Sequence, residues 1–370
     1  MVTSVNLRVL MVSPGYLPTV GGVETHMYEV GRRLAARGAQ VTVLATDRTG
    51  ALPATERRDG MSIRRVQAYP SGRDWYFAPG LPAAIRESEW DVIHCQGAHT
   101  LVPPMAMASA KTTRRPYVMT FHSGGHSSAS RNAARSLQLL LLRPLLLSAA
   151  RLIAVSAFEA EHLASRLRLS RRRFEVIPNG ADLPLVNPSP SSDGASSGPL
   201  LVSVGRLEKF KGHHKVLQAL PGVIKRYPDV RLEIIGSGPY EGPLRALVER
   251  LGFGERVVIR SIPTANRHEM AELLSKADLV TLLSEFESQG LAAAEAASLR
   301  RPVLVANGSA LAELVEQGLA SAVAVDAEAD ATAAAILAQL DDPLVPGDYS
   351  LPTWDRCSER LYELYRELAA

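Results

Sequence analysis

Two carboxylates late in the chain have a spacing that suits a sugar-phosphate ligand. Glu287 and Glu295 stand eight positions apart, with a glycine and a run of small helix-forming residues between them. If a helix begins near Gln289 or Gly290, its first amides lack intrahelical acceptors and form a site for phosphate or sugar oxygens. Glu287 would enter this pocket from a loop, and Glu295 would lie one to two turns inside the helix. An ordinary amphipathic helix with solvated glutamates explains the same residues, so both interpretations stay open at this point.

A second group of residues could bind a diphosphate. The segment from Gly205 to Gly212 carries Arg206 and Lys211, five residues apart and bounded by glycines. A guanidinium binds phosphate oxygens in a bidentate manner and a lysine supplies a point charge, so the pair suits a pyrophosphate leaving group. Exposed surface charge is the alternative, and the flanking glycines favour function.

The first half of the chain offers glycines and two histidines. Gly21 and Gly22 lie between a predicted strand and a predicted helix, where backbone amides can approach a phosphate. The pair lacks the G-x-G-x-x-G spacing, which counts against a nicotinamide enzyme. His94 and His122 each end a predicted strand and are placed for hydrogen bonding or proton transfer. A purely structural histidine is the alternative, more so for His94.

Composition and charge narrow the class of protein. The 370 residues are 46% apolar and 21% charged, which is typical of a soluble globular α/β protein and excludes a disordered or fibrous one. Residues 1–185 carry a formal charge of +10 and the remainder −7. A basic first half is compatible with an anionic partner, although scattered solvated arginines explain it as well. We expect no nucleic-acid partner.

Metal and redox chemistry find little support in the sequence. The two cysteines, Cys95 and Cys357, are far apart, which excludes a disulfide framework and fits a reducing compartment such as the cytoplasm. No Asp-x-Asp occurs, and neither histidines nor cysteines have metal-ligand spacing. We therefore expect no metal and no cofactor. The charge of a departing diphosphate would be met by Arg, Lys and helix dipoles.

These residues are positioned by strands that alternate with helical stretches, which predicts βαβ units and a mostly parallel sheet in each half. The predicted strands are Val9–Ser13, Val41–Ala45, Ser62–Val66, Asp91–His94, Tyr117–Thr120, Leu152–Val155, Leu200–Gly205, Arg231–Gly236, Val257–Arg260, Leu279–Leu283 and Val303–Ala306. Further helices are expected at residues 213–227 and 267–274, and the apolar run from Leu137 reads as a helix broken at Pro144.

Two tandem doubly wound, Rossmann-like domains facing a central cleft follow from this alternation. Pro/Ser/Gly-rich composition between Leu183 and Pro199 marks a linker. The predicted division is 1–185 for a first domain, 186–199 for the linker, 200–350 for a second domain and 351–370 for a closing helix.

Taken in order, the motifs resemble those of the family 4 glycosyltransferases, retaining enzymes of the GT-B fold. The resemblance covers nearly the whole chain and rests on these segments: Gly21-Gly22-Val-Glu24, Asp91-Val-Ile-His94, Thr120-Phe-His122, Val155-Ser156, Ile177-Pro-Asn-Gly-Ala-Asp182, Val204-Gly-Arg-Leu207, Lys211-Gly212, Ile235-Gly-Ser-Gly-Pro239 and the Glu-x7-Glu pair. Each motif alone is unspecific, and their combination in this order is specific.

The resemblance implies a nucleotide diphosphate sugar as donor, a uridine one in preference to a guanosine one, and a hydroxyl acceptor. It assigns the diphosphate to Arg206 and Lys211, helped by the amide of Gly22. Glu287 would hold the sugar and Glu295 the ribose. The remaining implied roles belong to His122 at the reacting sugar, the turn Ser288-Gln289-Gly290-Leu291 at the diphosphate, Ser261-Ile262 at the base, and His94 and Glu24 on the acceptor side. In such enzymes the leaving phosphate takes the acceptor's proton, so no separate base is required.

Three positions depart from the family pattern. The family usually has an aromatic residue where Gln289 stands, a glycine at Arg300 and a Gly-Gly at Ser309-Ala310. The first change makes Gln289 a candidate for hydrogen bonding to the sugar.

Several alternatives stay open. A nucleotide-sugar 2-epimerase of the same architecture and a non-catalytic sugar-nucleotide-binding subunit fit the same motifs. The acceptor would be set by loops at residues 72–82 and 122–131. The basic residues at 166–173, with the apolar helix before them, could meet an anionic membrane at its inner face.

Overall fold

The structure, a computed structural model, describes most of the chain and divides it into two compact units. The described residues are 7–19, 21–71, 76–98, 100–124, 129–184, 186, 198–263, 266–347 and 351–370, and for 129–137 only the backbone is described. The first unit comprises Met1–Ser123, Ser130–Gly180 and Pro352–Ala370, and the second comprises Gly124–Ala129 and Ala181–Leu351. Most of the predicted linker lies outside the described residues, as do residues 72–75 and 125–128 of the two predicted acceptor loops.

One sheet forms the centre of the first unit. Its strands are β1 (Arg8–Val12), β2 (Gln40–Asp47), β3 (Thr55–Arg58), β4 (Met61–Gln67), β5 (Val92–Gln96), β6 (Tyr117–Thr120), β7 (Arg151–Ala154) and β8 (Phe174–Val176). Their order is β3-β4-β2-β1-β5-β6-β7-β8, parallel except for β3 against β4. The winding direction reverses between β1 and β5, and at such a switch point the loops after both strands diverge and leave a crevice for ligands.

Helices cover both faces of this sheet. The first five are α1 (Gly22–Ala36), α2 (Leu81–Arg86), α3 (Val102–Thr112), α4 (Ala129–Ser148) and α5 (Ala157–Leu167). The central strands are buried on both sides, as in β1 and β5, which explains their largely apolar sequences, whereas the edge strand β3 is mostly exposed.

The predicted break at Pro144 is wrong, because α4 continues through the proline to Ser148. Leu142 and Leu146 are buried on either side of it. A proline inside a helix costs about 3 kcal/mol, whereas each buried leucine contributes roughly 1.5–3 kcal/mol. Packing of the two leucines therefore outweighs the loss.

The second unit repeats the same plan. Its strands are β9 (Leu200–Val204), β10 (Arg231–Ile235), β11 (Val257–Arg260), β12 (Leu279–Leu282), β13 (Val303–Ala306) and β14 (Ser321–Val323). They pair in parallel in the order β11-β10-β9-β12-β13-β14. The reversal here falls between β9 and β12, the strands that precede the two predicted ligand loops.

Helices of the second unit confirm the predicted ones and add two. They are α6 (His213–Ile224), α7 (Glu241–Arg250), α8 (Arg267–Lys276), α9 (Leu291–Ser298), α10 (Leu311–Glu316) and α11 (Ala329–Asp341). The last helix, α12 (Trp354–Ala369), groups with the first unit and packs on α1, where Arg33 donates to Asp355 at 2.7 Å. Two α/β units with parallel sheets confirm the predicted fold class.

No helix in the described part of the chain is both long enough and apolar enough to cross a bilayer.

Candidate active site

Two loops of the second unit meet in a salt bridge at the switch point of its sheet. The Nζ atom of Lys211, after β9, lies 2.6 Å from Oε1 of Glu287, after β12. The Ser284 hydroxyl donates to the same carboxylate oxygen at 2.8 Å. Only 15% of the Lys211 side chain and 14% of the Glu287 side chain are exposed, so the pair is largely dehydrated. A largely dehydrated charge pair with an exposed edge can exchange partners with an anionic or hydroxyl-bearing ligand.

A glycine lets these two loops approach each other. Gly212 has φ +77, a left-handed conformation that suits glycine, and a Cβ at this position would overlap the carbonyl of Leu283. The backbone of Glu285 also donates to the carbonyl of Phe210 at 2.8 Å. The glycine after Lys211 is therefore a structural requirement of the salt bridge.

The turn after Glu287 leads into a helix as predicted. Gly290 caps α9 with φ +75, and a Cβ there would lie 2.5 Å from Leu311. The first amides of α9 have no intrahelical acceptors and carry the positive end of the helix dipole. Ser288 and Gln289 are half-buried in this turn. The helix start expected from the sequence thus lies four residues after Glu287.

Ser309 holds the other side of this turn. Its hydroxyl accepts a hydrogen bond from the Glu287 amide at 3.0 Å, and its φ is +55. Arg300, which also stands where the resemblance expects glycine, has φ +55 as well, whereas Ala310 has φ −66. Arg300 and Ser309 therefore keep the left-handed backbone with a non-glycine residue, and the Ser309 hydroxyl accepts a hydrogen bond from the Glu287 amide.

Arg206 lies at the exposed edge of the same region. Its side chain is 61% exposed and pairs with Glu208 at 2.5 Å. Its carbonyl accepts from Nε2 of His213 at 3.2 Å, while Nδ1 of His213 lies 2.8 Å from the Ser203 hydroxyl. Burial lowers the pKa of His213 to about 4, so an uncharged imidazole fixes this backbone. Arg206 is left within reach of a ligand in solvent.

Glu295 is more deeply placed than Glu287. Its side chain is 4% exposed and forms a salt bridge with Arg267, the first residue of α8. A buried carboxylate needs such a partner, because an unpaired charge is costly to dehydrate. Arg267 was not predicted from the sequence, although the need of a buried Glu295 carboxylate for a cationic partner indicated that such a residue exists.

Ser261 and Ile262 follow β11, at the edge of the second sheet. Ser261 is exposed and Ile262 is buried. Their backbone lies at the carboxyl end of the sheet, on the same side as the loops after β9 and β12, because parallel strands end at one edge.

In the first unit, Gly22 starts α1 and is exposed, with open space where a Cβ would stand. The half-buried carboxylate of Glu24 turns back toward this helix start, and a Cβ on Gly21 would overlap it. Small residues are thus required around Glu24. The loop follows β1, one of the two strands at the switch point.

His122, two residues after β6, has a constrained conformation. Its φ is +47 and its side chain is buried. The Nε2 atom lies 2.7 Å from Oε1 of Gln96, and the ring of His26 packs edge-on at 4.7 Å between centroids. The imidazole is therefore held from two sides.

His94 is fully buried, in contrast to its predicted place on the acceptor side. One ring nitrogen lies 2.7 Å from the Thr120 hydroxyl, and the other is hydrogen-bonded to the Tyr365 hydroxyl of α12. Burial lowers its pKa well below the ordinary value. With no exposed surface, His94 cannot contact an acceptor in this structure, and it acts as a structural residue.

Within the described ranges, no group of three or more histidines, cysteines or acidic residues is placed to hold a metal ion. The polar groups that the structure brings together are instead cations, carboxylates and hydroxyls.

Two family models match the chain. One, described as "Glycosyltransferase Family 4", matches residues 20–184. The other, described as "Glycosyl transferases group 1", matches residues 190–360. Together they cover both units and every candidate residue named above.

Relatives and solved structures agree with these matches. Glycogen synthase of Mycobacterium tuberculosis is 30% identical across 91% of this chain and 87% of its own length. D-inositol 3-phosphate glycosyltransferase of Nocardiopsis dassonvillei is 26% identical across 95% and 90%. Anabaena HepE, solved in complex with UDP-glucose, superposes with a TM-score of 0.73 at 19% identity, covering 98% of this chain and 97% of that one, and shares its fold.

Proposed function

This chain belongs to the glycosyltransferases described by the family 4 and group 1 models, and we propose that it moves a hexose or N-acetylhexosamine from a nucleotide diphosphate sugar to a hydroxyl acceptor. The Lys211–Glu287 salt bridge, at 2.6 Å between β9 and β12, is the observation that carries this proposal. It provides a cation for phosphate and a carboxylate for sugar hydroxyls at the place where doubly wound sheets bind ligands.

The donor is best described as a uridine diphosphate sugar. HepE was solved with UDP-glucose, and it has the same fold. In this proposal Lys211 and Arg206 bind the diphosphate, together with the first amides of α9 and the amide of Gly22 in the first unit. Glu287 accepts hydrogen bonds from the sugar.

The ribose and the base would bind to the remaining predicted residues. We assign the ribose to Glu295, which requires that its salt bridge with Arg267 opens or shares the carboxylate, since the side chain is 4% exposed. The base is assigned to the backbone of Ser261 and Ile262.

We propose a retaining reaction without metal or cofactor. The bond between the anomeric carbon and the diphosphate oxygen breaks, and the acceptor oxygen bonds to that carbon on the same face. The proton of the acceptor hydroxyl passes to the departing phosphate oxygen, so charge is balanced without a separate base. Arg206 and Lys211 stabilise the negative charge that develops on the leaving group.

His122 and Gln289 are proposed to contact the sugar, and Glu24 the acceptor. Gln289 is half-buried in the turn that precedes α9, which makes its amide a candidate for hydroxyl recognition. Replacing Gln289 with Phe should change the preference among donor sugars. Unchanged donor selectivity would remove Gln289 from this role.

Nucleotide binding and sugar transfer can be tested one after the other. A thermal-shift screen of UDP, GDP, ADP and their sugars should give stabilisation by the true nucleotide, about 2.7 kcal/mol at a hundredfold excess over Kd. Transfer to a panel of hydroxyl acceptors, followed by proton NMR of the anomeric centre, should show retained configuration. Inverted product would contradict the proposed mechanism.

Incubation with the donor alone separates the remaining alternatives. A glycosyltransferase gives slow donor hydrolysis, whereas a 2-epimerase gives a new sugar nucleotide. Nucleotide binding without turnover across the whole acceptor panel would indicate a non-catalytic subunit.

We also propose that the protein works in the cytoplasm, at the inner face of an anionic membrane. Its two cysteines are buried and form no disulfide, as in a reducing compartment. Leu141 is 73% exposed on α4, and Leu147 of the same helix lies beside the basic residues, where Arg173 donates to its carbonyl at 3.0 Å. Apolar side chains flanked by arginines suit an anionic lipid surface.

Liposome sedimentation tests this contact. We expect binding to vesicles with phosphatidylglycerol at low salt, weaker binding at high salt, and loss of binding in Leu141→Gln combined with Arg172→Gln and Arg173→Gln. Arg250→Gln, an exposed arginine of the second unit, is the control. Binding that does not depend on salt or on these residues would contradict the contact.

A further inference from the structure

Polar side chains of the first unit collect on one face of two neighbouring strands. Successive residues of a strand point to opposite faces. Cys95 of β5 and Met119 of β6 therefore pack in the core on one side, while His94, Gln96 and Thr120 lie on the other. Gln96 and Thr120 are register partners in the parallel pair. This puts Gln96 beside the end of β6, two residues before His122.

Gln96 links His122 to His94 along this face. Its amide oxygen lies 2.7 Å from Nε2 of His122, and its amide nitrogen lies over the His94 ring, 3.1 Å from Nε2 and 3.3 Å from Nδ1. The two ring nitrogens of His94 are bonded in turn to the hydroxyls of Thr120 and of Tyr365 in α12. Gln96, His94 and Tyr365 are all fully buried, so water does not compete for these bonds.

The chemistry of the amide gives the contact with His122 a direction. The amide nitrogen of Gln96, which only donates, lies against the His94 ring, so the amide oxygen is the end that faces His122. An amide oxygen only accepts, so the Nε2 atom of a neutral His122 carries the proton and donates a hydrogen bond to Gln96.

We propose that Gln96 is a positioning residue that holds His122 in its Nε2-protonated tautomer and thereby makes Nδ1 the nitrogen that accepts a hydrogen bond from a ligand hydroxyl. The part about the ligand rests on the proposed function, in which His122 contacts the donor sugar. The tautomer itself follows from the bond to Gln96.

The surroundings of His122 make the ring orientation depend on this bond. His122 has a left-handed backbone, with φ +47. The His26 ring, with its centroid 4.7 Å from that of His122, restricts the plane of the imidazole by packing, but it does not determine which ring nitrogen carries the proton. The hydrogen bond to Gln96 determines the protonated nitrogen.

Nitrogen-15 NMR of the imidazoles in the full chain tests the tautomer directly. We expect His122 to be protonated at Nε2 in the wild type and to become a mixture of tautomers in Gln96→Met. Gln138→Met, in which a part-buried glutamine of the same unit loses bonds to the carbonyls of Ala98 and Thr100, should leave the His122 signal unchanged. An Nδ1-protonated His122 in the wild type would overturn the proposal, even if the variants do not fold.

Kinetics distinguish positioning from general support of the fold. Gln96→Met should lower the transfer rate about 10- to 100-fold, the range found when the support of a functional histidine is removed. Gln96→Glu keeps an oxygen acceptor for Nε2, so it should keep the wild-type tautomer and lose less activity than Gln96→Met at equal thermal stability. Equal losses in both variants with an unchanged His122 tautomer would contradict positioning by Gln96.

Failure of the proposed function would give a different experimental result. If the wild type binds no sugar nucleotide and transfers nothing, the proposed function fails, whereas the NMR experiment still decides whether Gln96 fixes the tautomer. A mixed tautomer in Gln96→Met together with a wild-type transfer rate would overturn the catalytic part of the inference.

Discussion

The two units carry opposite kinds of polar groups at the carboxyl ends of their strands. In the second unit the groups are charged, and Lys211 and Glu287 form a salt bridge that is about 15% exposed. In the first unit the buried histidines around His122 are uncharged, because burial lowers the pKa of His26 to about 4 and that of His94 well below its ordinary value.

The charged groups of the second unit therefore suit ligand binding, and the neutral groups of the first unit suit the positioning of a neighbouring residue. A charged pair at a partly exposed edge can release one partner to a diphosphate or a sugar. Neutral groups that are fully buried cannot exchange partners with a ligand, and they fix the geometry of the residue at their edge, His122. Substitutions in either region test this difference, and those with the largest expected effect come first.

Removing the cation of the salt bridge should have the largest effect. Lys211→Met takes a positive charge from the diphosphate and leaves Glu287 without its partner, so transfer should fall about 100- to 1000-fold. Arg206→Ala should also abolish transfer in a folded protein. Lys209→Met, an exposed lysine of the same turn, is the matched control. Near wild-type rates in Lys211→Met would mean that the diphosphate binds elsewhere.

Breaking the buried salt bridge of the second unit should act on stability. Arg267→Met leaves the Glu295 carboxylate dehydrated and unpaired, which costs roughly 3 kcal/mol when a buried partner is lost. Urea unfolding measures the loss. The double variant Arg267→Met with Glu295→Gln should recover part of it, and no recovery would show that the pair is not coupled.

The neutral cluster predicts a pH dependence. Burial lowers the pKa of His26 from its ordinary value of 6.5 to about 4 in the folded protein, so the unfolded chain binds more protons between pH 6.5 and 4. Stability therefore falls as pH falls through this window, by about 1.4 kcal/mol per pH unit for one fully shifted histidine. His26→Gln should remove that share of the slope, and exposed His268→Gln should not. Equal slopes for His26→Gln and the wild type would contradict the assignment.

The two left-handed residues near the charged site should show the smallest effect. Arg300→Gly relieves an unfavourable backbone and should raise the free energy of unfolding by about 0.5–1 kcal/mol. Ser309→Gly relieves the backbone in the same way, but it removes the hydrogen bond from the Glu287 amide, which is worth about 1 kcal/mol. The free energy of unfolding should therefore change little. Equal stabilisation by both substitutions would show that the Ser309 hydrogen bond contributes nothing.

The fold was largely predictable, because strands buried on both faces leave continuous apolar runs and helices leave periodic ones. The short strands β3, β8 and β14, of three or four residues, have no such run. Pro144 misled the prediction for a physical reason: packing of neighbouring leucines, which local propensity does not include, keeps α4 intact.

The candidate residues that stand in glycine-bounded motifs were predictable, and the residues that support other candidates from a distance were not. Arg206, Lys211 and Glu287 stand in motifs with glycines that mark tight loops. Gln96 and Arg267 become meaningful only through contacts across 26 and 28 residues of sequence, with His122 and Glu295. His94 appeared functional at a strand end, and only its complete burial shows otherwise.

The central claim is that Glu287 acts on the donor sugar at the Lys211 site, and one comparison tests it most directly. Glu287→Gln should keep stabilisation by the nucleotide diphosphate while sugar transfer from the donor falls at least about 100-fold. Glu285→Gln, an exposed carboxylate two residues earlier, should transfer at the wild-type rate. Wild-type transfer by Glu287→Gln would contradict the assignment of this site.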